Sequence, residues 1–311
     1  MKRVLVLGAI VLAGGVSAAI VQAQQAAAPQ GRAGGAPPGF PPVSAAEKVA
    51  DNLYMVPGQG GNTAVWVMAN GVLLVDTKLA NNGQSILDQV KKVTDKPITH
   101  IVNTHTHGDH TGSNQFFPAD VQIVVQENTA ANMAKMDVFK EAANKHGLAD
   151  RTYKDKMSLF RGKEEVELRY FGAAHTNGDT FVVFKSARVM HSGDAFANKG
   201  TPFIDRANGG SGVAYPATLK KAAREIKNVD KVIPGHSAVL AWDDFVAGGD
   251  FNQAMLDHAR AALKANKTPE QALKEFVLSD SLKAKGFAQP AAGRGGAGGN
   301  FTVIMDELQG K

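Results

Sequence analysis

Three imidazoles and one carboxylate occur within six residues, directly after an apolar run: His105, His107, Asp109 and His110, with Gly108 between them. Imidazole nitrogen and carboxylate oxygen are the side-chain donors that suit divalent ions such as zinc. Side chains two positions apart in an extended chain point to the same side, so His105 and His107 can converge on one ion. Because Gly108 lets the chain turn, the residues after it could contact a second ion. The segment therefore predicts a metal site.

Three further candidate ligands occur in turns that follow apolar segments: His175, Asp194 and His236. Glycine or proline lies within three residues of each one and permits a sharp turn from strand to loop. The other four histidines are not predicted to be ligands. We expect His100 and His191 to make structural hydrogen bonds, and His146 and His258 to be solvated.

The ordered pattern His-x-His-x-Asp-His, followed by a single His, a single Asp and a last His, resembles the metallo-β-lactamase superfamily over about residues 51–242. The whole pattern is far more specific than any one of its parts. The resemblance implies an α/β fold, a four-layer αβ/βα sandwich with the metal ions at one edge between two sheets. Its members are metal-dependent hydrolases in most cases, so we expect an enzyme.

The resemblance also implies a role for each candidate residue. The first metal would be held by His105, His107 and His175; the second by Asp109, His110 and His236; and Asp194 would bridge them. Asp76 matches an early aspartate of the family, and its buried carboxylate would orient a ligand histidine from behind.

This ligand set predicts two Zn²⁺ ions per chain, although the same donors also suit iron or manganese. Two ions about 3.5–4 Å apart would share a water whose pKa falls toward 7, while one ion polarises the substrate carbonyl. The resulting hydroxide would attack an amide or ester. Asp109 has a second predicted role, which is to orient this nucleophile or relay its proton.

The fold alone does not identify the substrate, because the superfamily includes several chemistries. The absence of cysteine disfavours the β-lactamases that use a cysteine ligand. We expect a small-molecule substrate, in the first place a β-lactam or a lactone. The alternatives are a thioester hydrolase of glyoxalase type, an envelope binding protein in which metal is structural, and a mononuclear iron oxygenase of the same superfamily.

The chain divides into five predicted parts. Residues 1–23 are typical of a secretory signal peptide, because Lys2 and Arg3 precede an uncharged stretch and a small-residue cleavage site. We therefore expect a periplasmic or secreted protein without a stable membrane anchor, although an uncleaved anchor is the alternative. The other parts are a flexible Ala/Gly/Pro-rich leader (24–43), the hydrolase domain (44–287), a Gly-rich linker (288–299) and a C-terminal helix (300–311) with Asn300 as its N-cap.

The formal charge of +5 is modest, and basic runs that interleave with aromatic residues are absent from the sequence. This composition argues against a nucleic-acid partner. The oligomeric state is left open. Two glycine-containing turns, 59–62 and 208–212, are candidate walls of the substrate pocket.

Hydrophobic periodicity predicts alternating strands and helices in the central domain. The predicted strands are 53–56, 63–68, 72–75, 98–103, 121–125, 165–170, 180–184, 188–190 and 231–233. The predicted helices are 84–93, 128–135, 217–226 and 244–265.

Overall fold

Two β-sheets pack face to face in the computed structural model, which describes residues 40–293 and 296–311. The first sheet has its strands in sequence order, with β1–β4 antiparallel and β4–β7 parallel. These strands are β1 Glu47–Ala50, β2 Leu53–Val56, β3 Thr63–Val67, β4 Val72–Val75, β5 Ile98–Val102, β6 Gln122–Gln126 and β7 Arg151–Tyr153.

The second sheet has the order β13-β12-β11-β10-β9-β8, and only its β11–β12 pair is parallel. Its strands are β8 Lys156–Leu159, β9 Val166–Arg169, β10 Phe181–Phe184, β11 Val189–Gly193, β12 Lys231–Pro234 and β13 Leu240–Ala241. Parallel neighbours bring the carboxyl ends of β11 and β12 to the same edge, as they also do for β4 and β5. Loops that follow these strands can therefore meet.

Helices cover the outer faces of both sheets. The α-helices are α1 Gly83–Lys91, α2 Gly108–Thr111, α3 Glu127–Met133, α4 Tyr215–Glu225, α5 Trp242–Lys264, α6 Pro269–Glu275, α7 Asp280–Ala284 and α8 Asn300–Leu308. Short 3-10 helices are Asn114–Phe116, Asp137–Phe139, Ala142–Gly147, Gly162–Glu164, Asp194–Phe196 and Arg206–Asn208. Within the described ranges, no helix has the length and apolarity needed to cross a membrane.

Three apolar cores define the layers. Between the sheets, Trp66 of β3 and Phe184 of β10 have ring centroids 5.5 Å apart. The outer face of the first sheet packs on α1 through Ile86, and the outer face of the second packs on α5 and α8 through Phe245 and Phe301. Strand β4 is buried throughout, since its alternate residues face different cores. The predicted four-layer αβ/βα sandwich is confirmed.

All the predicted strands and helices are present, with small shifts at their ends. Strands β1, β7, β8 and β13 were not predicted. The first three are short and expose polar residues, and β13 has only two residues. The C-terminal helix begins at Asn300, but its N-cap is Gly299, so the predicted cap is wrong. The Asn300 side chain instead donates a hydrogen bond to the carbonyl of Pro202 over 2.7 Å.

Several predicted boundaries stay predictions. The signal peptide, at 1–23, and the leader as far as residue 39 lie outside the described residues. The last four residues of the predicted leader, 40–43, are described, and they contact the turn at Gln59 through hydrogen bonds. The linker is described except for residues 294–295.

Lys78 is fully buried just after β4, and the sequence analysis did not single it out. Its Nζ donates to the carbonyls of Val56 and Gly61 over 2.7 and 3.0 Å, so it ties β2 to the turn that precedes β3. Burial lowers the pKa of Lys78 to about 7, against the opposing effect of the charge on Asp76. A neutral amine keeps two N–H groups for the two carbonyls.

The Lys78→Met variant tests this burial through the pH dependence of stability. Between about pH 7 and 10 the unfolded chain holds a proton that folded Lys78 has released, so the wild type should gain stability relative to the variant as pH rises. The gain should reach up to about 1.4 kcal/mol per pH unit in urea unfolding. Parallel pH profiles for the two proteins would contradict the buried neutral amine.

Phe301 anchors α8 to the domain, since its fully buried ring packs against His258 and Phe276 with centroids 5.4 and 5.5 Å away. Phe301→Ala should therefore lower the free energy of unfolding by about 3–5 kcal/mol. Val277→Ala is the control, because Val277 is 75% exposed and its truncation should change stability by less than about 0.5 kcal/mol. Equal stability of the two variants would mean that α8 does not contribute to the core.

Candidate metal centre

All seven predicted ligands meet at the edge where the two sheets present their loops. They form two groups, His105, His107, His175 and Asp194, and Asp109, His110 and His236. Within each group, one donor atom per residue lies within 4.8 Å of the others. The ligands come from the loop and helix after β5, the loop before β10 and the ends of β11 and β12. Residues from both sheets are therefore needed to complete either group.

Asp194 lies between the two groups. Its Oδ1 is 3.3 Å from Nε2 of both His110 and His236, and its Oδ2 is 3.7 Å from Nε2 of His175. Each oxygen thus faces a different group. This is the arrangement that a bridging carboxylate requires, and it agrees with the predicted position of Asp194.

Hydrogen bonds from outside the site determine which nitrogen of His107 and His175 faces inward. His107 Nε2 donates to Asp205 Oδ2 over 2.6 Å, and His175 Nδ1 donates to the carbonyl of Phe203 over 2.7 Å. In the neutral rings, the inner nitrogens, His107 Nδ1 and His175 Nε2, then carry lone pairs and are only 3.0 Å apart. Two lone pairs at this distance repel each other unless a cation lies between them.

The buried carboxylate of Asp76 orients two further ligands, His105 and His110. It accepts from His110 Nδ1 over 2.7 Å and from the Thr104 hydroxyl over 2.8 Å. Because the Thr104 hydroxyl donates to Asp76, it accepts from Nδ1 of His105 over 3.0 Å. His105 Nε2 is left with a lone pair that faces the site, and His110 presents its Nε2 to the same site.

One buried polar atom in the site, His105 Nε2, lacks a hydrogen-bond partner among the described residues. Buried polar atoms are normally paired, because an unpaired one costs free energy. This nitrogen is a metal donor, and it belongs to the group that would hold the first ion. The residues present therefore fit divalent metal ions.

The pKa shifts of His105, His175 and Asp109 favour the protonation states that metal binding needs. Burial lowers the pKa of His105 well below its usual value, and burial also lowers the pKa of His175 to about 4. Burial alone would raise the pKa of Asp109, but His110 and His236 outweigh it and hold the pKa at about 2. At neutral pH these imidazoles are neutral and the carboxylate is charged, as metal ligands must be.

His110 and His236 show the opposite shift. Burial opposes the protonation of both, but the charges of Asp194, Asp76 and Asp109 raise the pKa of His110 well above its usual value. Hydrogen bonds to Asp109 and Asp194 raise the pKa of His236 to about 9. His236 Nε2 lies 3.2 Å from Asp109 Oδ2. A proton here balances the charge of the carboxylates, so a metal ion and a proton compete for the same nitrogen.

Two glycines allow the ligand loops to approach so closely. A Cβ on Gly61 would lie 2.2 Å from Cε1 of His110, and a Cβ on Gly235 would lie 1.9 Å from Oδ1 of Asp194. Any other residue at either position would displace a ligand.

Asn62 connects the first sheet to the loop that carries His236. Its Nδ2 donates to the carbonyls of Pro234 and Ser237 over 2.8 and 2.7 Å, on either side of His236. The backbone carbonyl of Asn62 accepts a hydrogen bond from Nε2 of His191 over 3.0 Å, which confirms a structural role for that histidine. The turn 59–62 was predicted as a wall of the pocket, but Asn62 acts here by holding a ligand loop.

The remaining histidines lie outside the two groups. His100 is half-buried and hydrogen-bonds with Thr99, as expected. His146 and His258 are not simply solvated, which corrects the prediction, because each bonds to a backbone carbonyl over 2.9 Å. Their contacts involve residues distant in sequence, so periodicity gave no sign of them.

Three residues that orient the ligands were not predicted from the sequence, namely Thr104, Phe203 and Asp205, and Asn62 was predicted only as part of a pocket wall. Asp205 is separated from His107 by 98 positions and has no motif around it. Only Thr104 carried a local signal, since it directly precedes the ligand segment.

A cleft of about 580 Å³ opens onto the ligands. Apart from the ligands, its walls include the apolar side chains of Phe40, Leu79, Pro202 and Phe203, with Asn198 and Thr201 as polar neighbours. Among the described residues that line it, none is lysine or arginine. The turn 208–212 does not line it either, so that predicted wall is wrong.

Known proteins resemble this chain over most of this region. The metallo-beta-lactamase superfamily model matches residues 58–236, which is more than half of the chain. Metallo-beta-lactamase IND-1 of Chryseobacterium indologenes is 24% identical over 191 residues, covering 60% of this chain and 74% of the relative. Metallo-beta-lactamase type 2 of Elizabethkingia meningoseptica is 23% identical over 207 residues, covering 64% and 78%.

Solved structures share the fold at low sequence identity. The inverting sec-alkylsulfatase Pisa1 from Pseudomonas sp. has a TM-score of 0.72 at 15% identity over 86% of this chain, which spans only 50% of that protein. A metallo-beta-lactamase from Pontibacter korlensis has a TM-score of 0.58 at 17% identity, covering 68% of this chain and 99% of that one. With the family match and the ligand geometry, these likenesses establish that the chain belongs to the metallo-beta-lactamase superfamily and is a metal-dependent hydrolase.

Proposed function

We propose that the chain is an exported, dinuclear zinc hydrolase that opens an uncharged amide or ester, in the first place a lactone and in the second a β-lactam. The observation that carries this proposal is the pair of ligand groups that share Asp194. A structural zinc site usually closes with four protein ligands around one ion, whereas seven ligands in two groups suit a catalytic pair. When bound, such ions lower the pKa of a coordinated water and polarise a carbonyl.

The protein residues have separate tasks in this proposal. Asp76, Asp205 and the Phe203 carbonyl orient the imidazoles, so little reorganisation is needed when a substrate arrives. Asp109 is the ligand placed best for proton transfer, because its side chain is 19% exposed at the cleft and its Oδ2 lies beside His236. Its charged carboxylate can accept a hydrogen bond from the attacking water and so orient it.

The residues that line the cleft favour a lactone over a β-lactam as the substrate. Penicillins, cephalosporins and glutathione thioesters all carry carboxylates, for which lysine or arginine is the usual partner. None of the described residues that line the cleft is cationic apart from the histidines. A lactone needs no such partner. The β-lactam remains the second candidate because two relatives are named as metallo-beta-lactamases.

The proposed export and the proposed small-molecule partner are supported by the sequence. The charged start, apolar stretch and small-residue site of residues 1–23 support a periplasmic or secreted location. The modest charge supports a small-molecule substrate rather than nucleic acid.

Metal content and turnover should change together. The zinc-loaded protein should hold about two ions per chain by elemental analysis, since the two groups can each hold one. Chelation should abolish lactone hydrolysis, and His107→Ala should lower kcat/KM at least about 10³-fold. His146→Gln is the matched control, because that histidine lies outside both groups and should leave turnover unchanged. Full activity after chelation would reject the proposal.

Asp205→Asn should weaken zinc binding without removing a ligand. The charged acceptor that orients His107 is lost, so zinc affinity should fall about 10–100-fold in a competitive chelator titration. Asp137→Asn is the control, since Asp137 is exposed, pairs with Lys140 and belongs to neither ligand group. An affinity of Asp205→Asn within twofold of the wild type would show that Asp205 does not orient the ligand.

A further inference from the structure

The first described residues, 40–43, form an N-terminal arm that occupies a fitted site on the domain. The backbone N–H of Gln59 donates to the Pro41 carbonyl over 2.7 Å, and its side-chain amide donates to the carbonyls of Phe40 and Pro41, both over 3.2 Å. Gln59 itself is buried, with 6% of its surface exposed. Beside it, a Cβ on Gly58 would lie 2.0 Å from the Pro42 carbonyl oxygen. The arm therefore fits against the turn so closely that only glycine leaves room for it.

This contact brings Phe40 to the candidate metal centre. The Phe40 ring centroid lies 6.1 Å from that of His236, a predicted ligand. Phe40 lines the cleft of about 580 Å³ and also a neighbouring cavity of about 490 Å³. Phe40 and His236 are the two described residues that line both spaces. The Phe40 side chain thus forms part of the wall between them.

We propose that Phe40 is a specificity-determining residue, which contacts the apolar substituent of an uncharged ester or lactone and limits how long that substituent can be. This proposal rests on the proposed function of the same site. Phe203 and Pro202 also line the cleft, so a substituent bound there can contact more than one apolar side chain. A compact acyl group fits within the cleft and contacts the Phe40 ring. A long one that extends past Phe40 would enter the neighbouring cavity, and the ring of Phe40 lies between the two spaces.

Removal of the ring should therefore have opposite effects on two substrates. Phe40→Ala joins the two cavities and deletes an aromatic contact with a compact substituent. For the zinc-loaded protein, KM for p-nitrophenyl acetate should rise about fourfold, which corresponds to the loss of the apolar contact of one methyl group. For p-nitrophenyl octanoate, kcat/KM should rise by a similar factor, because the chain enters the second cavity. The leaving group is the same in both esters, so the difference reports on the acyl side.

Two further variants separate this role from a general effect on folding. Phe40→Trp keeps a large ring and should retain the preference for acetate over octanoate. Gly58→Ala leaves Phe40 intact but displaces the arm, so it should shift the preference in the same direction as Phe40→Ala. Val277 is not among the residues that line the two cavities, so Val277→Ala should behave as the wild type. Zinc content and thermal unfolding are measured for each variant, so that a loss of fold or metal is recognised.

An unchanged ratio of acetate to octanoate efficiency in Phe40→Ala, with zinc content intact, would overturn the proposal. If the wild type binds zinc but hydrolyses neither ester, the proposed function fails separately. The role of Phe40 is then measured by calorimetric titration with the two matching ketones, in which a methylene group replaces the ester oxygen. Weaker binding of the short ketone and tighter binding of the long one in Phe40→Ala would support the proposal, and equal affinities would overturn it.

Discussion

The buried carboxylate of Asp76 is the constraint on which the metal centre depends. Its two oxygens accept hydrogen bonds from the backbone N–H and the hydroxyl of Thr104 and from the ring of His110. Through Thr104 the same carboxylate also determines the tautomer of His105. A single side chain at the end of β4 therefore orients one predicted ligand of each ion. Its burial is tolerated because every bond it makes is charge-assisted or cooperative with a neighbour.

The two sheets contribute different ligands to the metal centre. The first sheet carries Asp76 and the dense ligand segment, while the second supplies His175, Asp194 and His236 from three separate loops. Asn62 holds these parts in register by bonding on both sides of His236. Packing of the two sheets is thereby coupled to metal affinity, and a metal bound between them stabilises the folded state by mass action.

The sequence was informative where function requires a local pattern. Residues 105–110 carry four of the seven ligands, and the turns around His175, Asp194 and His236 have recognisable small residues. The buried strands, such as β4, were equally clear from hydrophobicity. Asp205, Phe203 and Lys78 were missed because their partners are distant in sequence. Such contacts follow from how the sheets pack, and no periodicity within one segment encodes them.

Anomalous diffraction from zinc-loaded crystals, measured across the zinc edge, tests the central claim most directly. The account predicts two peaks per chain, with Asp194 contacting both and with His107 binding through Nδ1 while His105, His110 and His175 bind through Nε2. A single peak, or a His107 that binds zinc through Nε2 and has released Asp205, would contradict it.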